Sequence, residues 1–250
     1  MKKIIIVLLL FISSISNAQN ADAVFSNANA LYKEGKYSEA IKLYEEVIDQ
    51  NKVSSELYYN LGNAYYKLNK VAPSIYYYEK AIQLAPLNED AQNNLIFAKR
   101  LTLDRIEELP KSVFQKFNEN YLQKLTYNSW AVVTVLFSFL AGILFLLFYF
   151  ALEPSKKRLY FVTSMLSFLL LIVTLSITFT QYSDAQKNIQ AIIFSEEVSV
   201  NNAPTANSEE VFTLHEGTKV KVLDSVDDWK KIKLADGKIG WMKANSLKIL

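Results

Sequence analysis

The sequence predicts a multidomain membrane protein with three parts in order. These are an all-α repeat domain, a two-helix transmembrane hairpin and a small all-β barrel. Three observations carry that reading. Two apolar runs without a single charge lie in the middle of the chain. The stretch before them matches itself after a shift of 34 residues, a helical-repeat period. The stretch after them changes to a two-residue alternation broken by turn signals.

The chain opens on Lys2-Lys3, then an apolar stretch Ile4–Ile12, then small residues at Ser16 and Ala18. This order is that of a secretory signal peptide over residues 1–18, cleaved before Gln19. An uncleaved anchor is the alternative. Either way the segment that follows is exported.

The apolar runs are Ser129–Leu152, of 24 residues, and Leu159–Thr180, of 22 residues. At about 1.5 Å rise per residue each crosses a hydrocarbon core of about 30 Å. In lipid each run must satisfy its own backbone, so each is a helix. A buried hairpin in a soluble protein is the competing reading. Between the runs stands Glu153-Pro154-Ser155-Lys156-Lys157-Arg158, where Pro154 is expected to stop the first helix. Lys156, Lys157 and Arg158 set the topology, since short positive loops stay cytoplasmic. Both flanking parts then share the other side, the periplasmic face of a bacterial inner membrane. Trp130, Tyr149, Tyr160 and Tyr182 sit near the expected boundaries, where amphipathic rings prefer to be.

In the repeat region, residues 21–108, Tyr32 falls on Tyr66, Ile41 on Ile75, Tyr44 on Tyr78 and Ile48 on Ile82. The second unit carries Tyr58, Leu61, Gly62, Tyr65, Tyr78, Ala81 and Pro86. This pattern resembles the tetratricopeptide repeat. A third unit starts near Glu89, with Leu95 at the register of Leu61. Its helix is expected to run through Phe97, Leu101 and Leu103 towards Ile106 and to cap the stack. The resemblance implies peptide binding on the concave face of the first helices. The candidate groove residues are Phe25, Asn29, Tyr32, Lys33, Tyr59, Asn63, Tyr66 and Lys67. Their amides can pair with a peptide backbone. On that reading Asn29 and Asn63 serve a partner and contribute little to folding. The alternative is that the rings fill helix packing. The carboxylate-clamp subclass of these repeats needs a Lys where this chain has Phe25. It also needs basic groups at Asp90 and Asn94, so a C-terminal carboxylate ligand is not supported.

Residues 111–127 place Phe114, Phe117, Tyr121 and Leu125 on one stripe. An amphipathic connector helix of about four turns is expected there, on the bilayer surface or against the repeats. In residues 190–250 the expected strands are Ala191–Phe194, Glu197–Val200, Thr218–Leu223, Trp229–Leu234 and Ile239–Lys243. Asp236-Gly237 marks a hairpin. Gly217, Trp229, Gly237, Gly240 and Trp241 carry a resemblance to bacterial SH3-like domains. Trp229 and Trp241 are candidates for a ligand surface, with a core role as the alternative. His215 has no partner at a recognisable spacing and reads as structural or merely exposed.

A signal peptide, tetratricopeptide repeats, a membrane hairpin and an SH3-like module in this order resemble the E-type proteins of the Bacteroides aerotolerance operon. The resemblance implies a scaffold in a stress-linked inner-membrane complex. The partners it implies are von Willebrand A-type membrane proteins and a MoxR-type ATPase. A peptidoglycan sensor or tether acting through the SH3-like domain is the second reading. Net charge +2 argues against nucleic acid. The chain has no cysteine and one histidine, which removes thiol chemistry and Cys-containing metal sites. No catalytic residues, metal or cofactor are expected, because no nucleophile–base pair or phosphate loop is visible.

Overall fold

The computed structural model describes residues 21–250; the expected signal segment 1–18 lies outside the described residues. The chain forms two compact units. One joins the residues up to Leu84 and Asn88–Leu109 to Gln190–Leu250. The other contains Pro110–Ile189.

The first unit begins with five helices: α1 over 21–33, α2 Tyr37–Asp49, α3 Ser55–Lys67, α4 Val71–Leu84 and α5 Glu89–Lys99. Their boundaries repeat as the sequence does. Ser54 and Asn88, 34 apart, cap α3 and α5 by accepting from the N–H groups of Leu57 and Ala91. Gly35 and Asn69, also 34 apart, close α1 and α3 with φ of +78° and +54°. Only glycine and short polar residues adopt that conformation cheaply. Inside, Ala28, Ala40, Tyr44, Leu57, Leu61, Ala64, Ala72, Ile75 and Tyr78 form one buried cluster. Gly62 is where two helices meet. A Cβ there would lie 2.6 Å from the Tyr78 ring, so even alanine would push the ring out. Ser74, fully buried, donates to the Gly62 carbonyl at 3.1 Å and so is satisfied.

The third repeat helix is shorter than expected. It stops at Lys99, and residues 104–112 have no regular secondary structure. The reason lies in residues 190–250. There β1 (Gln190–Ile193), β2 (Glu197–Asn201), β3 (Glu210–His215), β4 (Lys219–Val226), β5 (Trp229–Lys233), β6 (Ile239–Lys243) and β7 (Leu247–Ile249) form one sheet. Its order is β3-β2-β6-β5-β4-β1-β7, and its paired strands are antiparallel. The inner face buries Ala191, Ile193, Val200, Leu214, Val220, Ile232 and Met242. This irregular segment contacts the sheet at several points. Ile106 packs against its core, and Leu109 N–H donates to the Ala235 carbonyl at 3.2 Å. Asp104 accepts from His215 N–H at 2.7 Å and from the Thr218 hydroxyl at 2.6 Å. A helix continuing to Ile106 would forfeit these bonds. Seven strands form where five were expected. The two additional ones, β3 and β7, are the sheet's edges. An edge strand pairs on one side and buries fewer side chains, so its alternation is weak in sequence.

The sheet and the repeat stack share a packed joint. Strand β1 is buried on both faces. Ala191 and Ile193 enter the sheet core, while Ile192 enters the repeat core and is fully buried. Lys248 of β7 extends over Tyr76, with its Nζ 4.8 Å from the ring centroid, and also faces Tyr77 and Phe194. Glu79 of α4 is buried at the same joint. Lys219 of β4 holds it at 2.7 Å and Lys99 of α5 at 3.0 Å.

In the second unit α6 (Val113–Asn120) starts at a capping box between Ser112 and Gln115. The expected four-turn helix over residues 111–127 is only two turns long, followed by a 3₁₀ turn at Leu122–Lys124. Tyr121 leaves helical geometry with φ −126°, which breaks the stripe before Leu125. No residue of α6 is buried. Helices α7 (Tyr127–Phe150) and α8 (Pro154–Lys187) are long and apolar enough to cross a membrane. Pro154 does not sit in a loop. It is the first residue of α8, where a missing N–H costs nothing. Lys156, Lys157 and Arg158 therefore lie in the first turn of that helix. The two helices meet through small groups. Ser164 donates to the Ala141 carbonyl at 3.2 Å, and Ser167 and Thr174 are buried beside it. Their large apolar side chains, among them Leu136, Phe139, Leu166 and Phe168, are exposed. A hairpin buried in a soluble core would have covered these side chains; here they are exposed.

The joint makes a test. Burial opposes the charge of Glu79, but Lys219 and then Lys99 outweigh it and hold the carboxyl below its ordinary value of 4.5. As pH falls, the unfolded chain takes up this proton first. The stabilisation is therefore complete above the ordinary value and is lost as pH drops through the folded-state value. Glu79→Gln should cost about 1–3 kcal/mol at pH 7, because both lysines are partly exposed and can turn to water. Urea unfolding of the detergent-solubilised chain at pH 7 and pH 4 checks it. The variant should lose less stability between those two values than the parent does. An equal loss in both would remove Glu79 as the acid-sensitive group.

Candidate functional site

The concave side of the repeats is built from two tandem copies of one polar arrangement. Tyr44 of α2 donates its hydroxyl to the Asn29 carboxamide oxygen at 2.7 Å. One repeat later Tyr78 of α4 donates to Asn63 at 2.6 Å. The same two oxygens accept from the next repeat: Asn60 donates to Asn29 at 3.0 Å and Asn94 to Asn63 at 2.8 Å. Each member lies 34 residues from its counterpart. Tyr44 and Tyr78 are buried, and burial pushes both phenols well above their ordinary range. They stay protonated and remain donors at any physiological pH.

These bonds change the role of the asparagines. Each side-chain oxygen is committed within the protein, accepting one bond from a helix of the same repeat and one from the next repeat. They fix the stagger between neighbouring units.

Above Asn63 lies a cleft of about 270 Å³, lined by Tyr32, Tyr59, Asn63, Tyr66, Lys67, Tyr78, Asn94 and Phe97. Five of the eight candidate groove residues therefore meet in one place. Phe25, Asn29 and Lys33 do not line it. Phe25 sits 5.8 Å from the Tyr44 ring and borders a different cleft with Ala21, Val47 and Leu57. The cleft also contains Tyr78, Asn94 and Phe97, which were not among the candidates. Adding 34 to Asn60 would have reached Asn94. Tyr32, Tyr59 and Tyr66 are half-buried, so each keeps ring surface for an incoming chain, and the Tyr59 hydroxyl oxygen accepts from Asn94 at 3.3 Å. Lys67 is exposed at the rim and places a positive charge there.

The other candidates lie on the sheet. Trp229 is buried under the Lys243 ammonium, which is 4.4 Å from the ring centroid. Trp241 is half-buried, with the Lys231 ammonium at 5.7 Å. His215 has a partner 111 residues earlier: its Nδ1 is 2.7 Å from Asp104 Oδ1. Burial opposes the charge of Asp104, but the Thr218 hydroxyl and His215 hold it below the ordinary carboxylate range. Histidine and aspartate here belong to the joint between stack and sheet.

Family models agree with this division. Residues 28–69 match a TPR repeat model and 55–88 a tetratricopeptide repeat model, while 197–248 match the bacterial SH3 domain. Comparison with curated proteins finds no match to the chain. The chain carries tetratricopeptide repeats and a bacterial SH3 domain.

Asn63→Ala would leave the buried Tyr78 hydroxyl and the Asn94 amide without their acceptor. We expect a loss of about 1–3 kcal/mol of stability. Lys67→Ala, at an exposed site, should change stability by no more than about 0.5 kcal/mol. Denaturant unfolding of both variants decides. An Asn63→Ala protein as stable as the parent would return this amide to a purely ligand-facing role.

Proposed function

We propose that the chain is a non-enzymatic scaffold of the bacterial inner membrane, which holds an extended segment of a partner protein in the concave cleft of its repeats. The observation that carries this is the meeting of Tyr32, Tyr59, Tyr66 and Lys67 over a rigid amide ladder. Partly exposed tyrosines on a fixed frame offer large contact area at small entropic cost. The amide ladder itself supplies stagger, and the rings and Lys67 supply contact.

In this reading α7 and α8 cross the bilayer and both termini of the mature chain are periplasmic. Cations in the first turn of α8 oppose its helix dipole, at about 0.3–1 kcal/mol each at most. Their position is explained by topology rather than by helix stability. The order of parts resembles that of the aerotolerance-operon E-type proteins, and this resemblance is what suggests von Willebrand A-type membrane proteins and a MoxR-type ATPase as the surrounding complex.

The second reading, a tether to peptidoglycan, draws on the match to the bacterial SH3 domain. It must be tested on the whole chain. The isolated sheet would expose Ile192 and Phe194, which pack into the repeat stack. Sedimentation of the intact protein with sacculi separates the two.

Two outcomes are expected. Alkaline phosphatase fused after Leu250 should be active, since it works only after export, and an inactive fusion would end the topology. Tyr66→Ala combined with Lys67→Ala should weaken co-purification of the A-type membrane partners about tenfold, the cost of one good contact, and Lys67→Ala alone should weaken it at unchanged stability. Undiminished recovery would move the partner site elsewhere.

A further inference from the structure

The outer face of the sheet changes character from one side to the other. At β7, β1 and β4 its outward residues Lys248, Ile192 and Lys219 are taken up by the repeat stack. Beyond them, at β4, β5 and β6, the same face is open. Strand register places Lys221 opposite Lys233, Lys231 opposite Trp241, and Lys243 opposite Trp229, all on this face. The inward positions between them are the core residues Val220, Val222, Ile232 and Met242.

The charge here is one-sided. In the segments Lys219–Val226, Trp229–Lys233 and Ile239–Lys243 stand six lysines and one carboxylate, Asp224. Among the described residues Lys221, Lys231, Lys233 and Lys243 form no ion pair. Lys221 and Lys233 are directly opposed, a like-charge pairing that weakens a sheet. Lysine is also a poor strand former. Lys231 and Lys243 rest on the Trp241 and Trp229 rings, and Lys231 stands opposite Asp224, but the surplus of lysine over carboxylate on these strands favours an anion outside the chain.

The remaining residues of the face say which anion. Trp241 and the exposed Ile239 interleave with the lysines. Tryptophan, lysine and a few aliphatic groups are the mixture that settles at a lipid headgroup boundary. Only Asn188 and Ile189 separate α8 from β1 in sequence, so the sheet meets lipid at high effective concentration.

We propose that the β4–β5–β6 face of the SH3 domain docks on an anionic lipid surface through Lys221, Lys231, Lys233 and Lys243, with Trp241 at headgroup depth. This rests on the reading that α7 and α8 cross the bilayer, and the test separates the two. The whole chain with Trp130→Phe is reconstituted into vesicles whose acyl chains carry bromine, either purely zwitterionic or with added phosphatidylglycerol. Flotation with both kinds of vesicle reports the hairpin alone. Fluorescence of Trp229 and Trp241 then reports the face. Quenching is expected with phosphatidylglycerol and not without it. It should be lost at about 0.5 M salt, where the screening length falls to a few ångström. It should also be lost when the four lysines are replaced by Gln. Those side chains are outside the core, and an unchanged circular dichroism spectrum controls for folding. Flotation without any quenching, or quenching indifferent to lipid charge, overturns the docking while leaving the hairpin standing. Failure to float overturns the hairpin reading. If the lysines are shielded from acetylation in native membranes but not in phosphatidylglycerol vesicles, the face belongs to an acidic protein, and the lipid proposal fails.

Discussion

A buried carboxylate is costly unless it is held, and Glu79 is held from two directions. Lys99 reaches it from the repeat stack and Lys219 from the sheet. Such an arrangement only forms when both parts are in place. Around it, Ile192 fills the repeat core from β1, Lys248 covers Tyr76, and Asp104 closes on His215 and Thr218. The two parts are therefore one folding unit, although about eighty residues of hairpin and connector separate them in sequence. A charged centre surrounded by apolar contact also favours one docking geometry over its neighbours, because a small slip leaves the carboxylate uncompensated.

This constraint bears on how the repeats work. A stack of only five helices has two ends to cover. Here the sheet, rather than a long final helix, covers part of one of them. The amide ladder of Asn29, Asn60, Asn63 and Asn94 then keeps the repeats in step beneath the tyrosine cleft. Rigidity of this kind reduces what a bound segment must offset in ordering its own site.

The open lysine face and the small-residue seam of the hairpin belong to one economy of surfaces. Ala141, Ser164 and Ser167 let α7 and α8 approach closely, leaving large apolar side chains on the outside. The sheet presents the opposite chemistry, cations and a tryptophan suited to headgroups.

Local pattern was enough for much of this. The 34-residue period located the helices, because side chains of equal register must make equal contacts. The charge-free runs identified the two long apolar helices, because about six turns without a charge leave no polar face to interrupt them. Alternation found the inner strands of the sheet. Tertiary contacts decided the rest. The third repeat helix stopped at Lys99 because Asp104 and Leu109 found better hydrogen bonds on the sheet. Asn63 became an acceptor for Tyr78 because helix packing brought that hydroxyl within 2.6 Å. His215 acquired a partner 111 residues away. Periodicity reports which face of an element is apolar, but it carries no information on which distant polar group that face will bring within bonding distance.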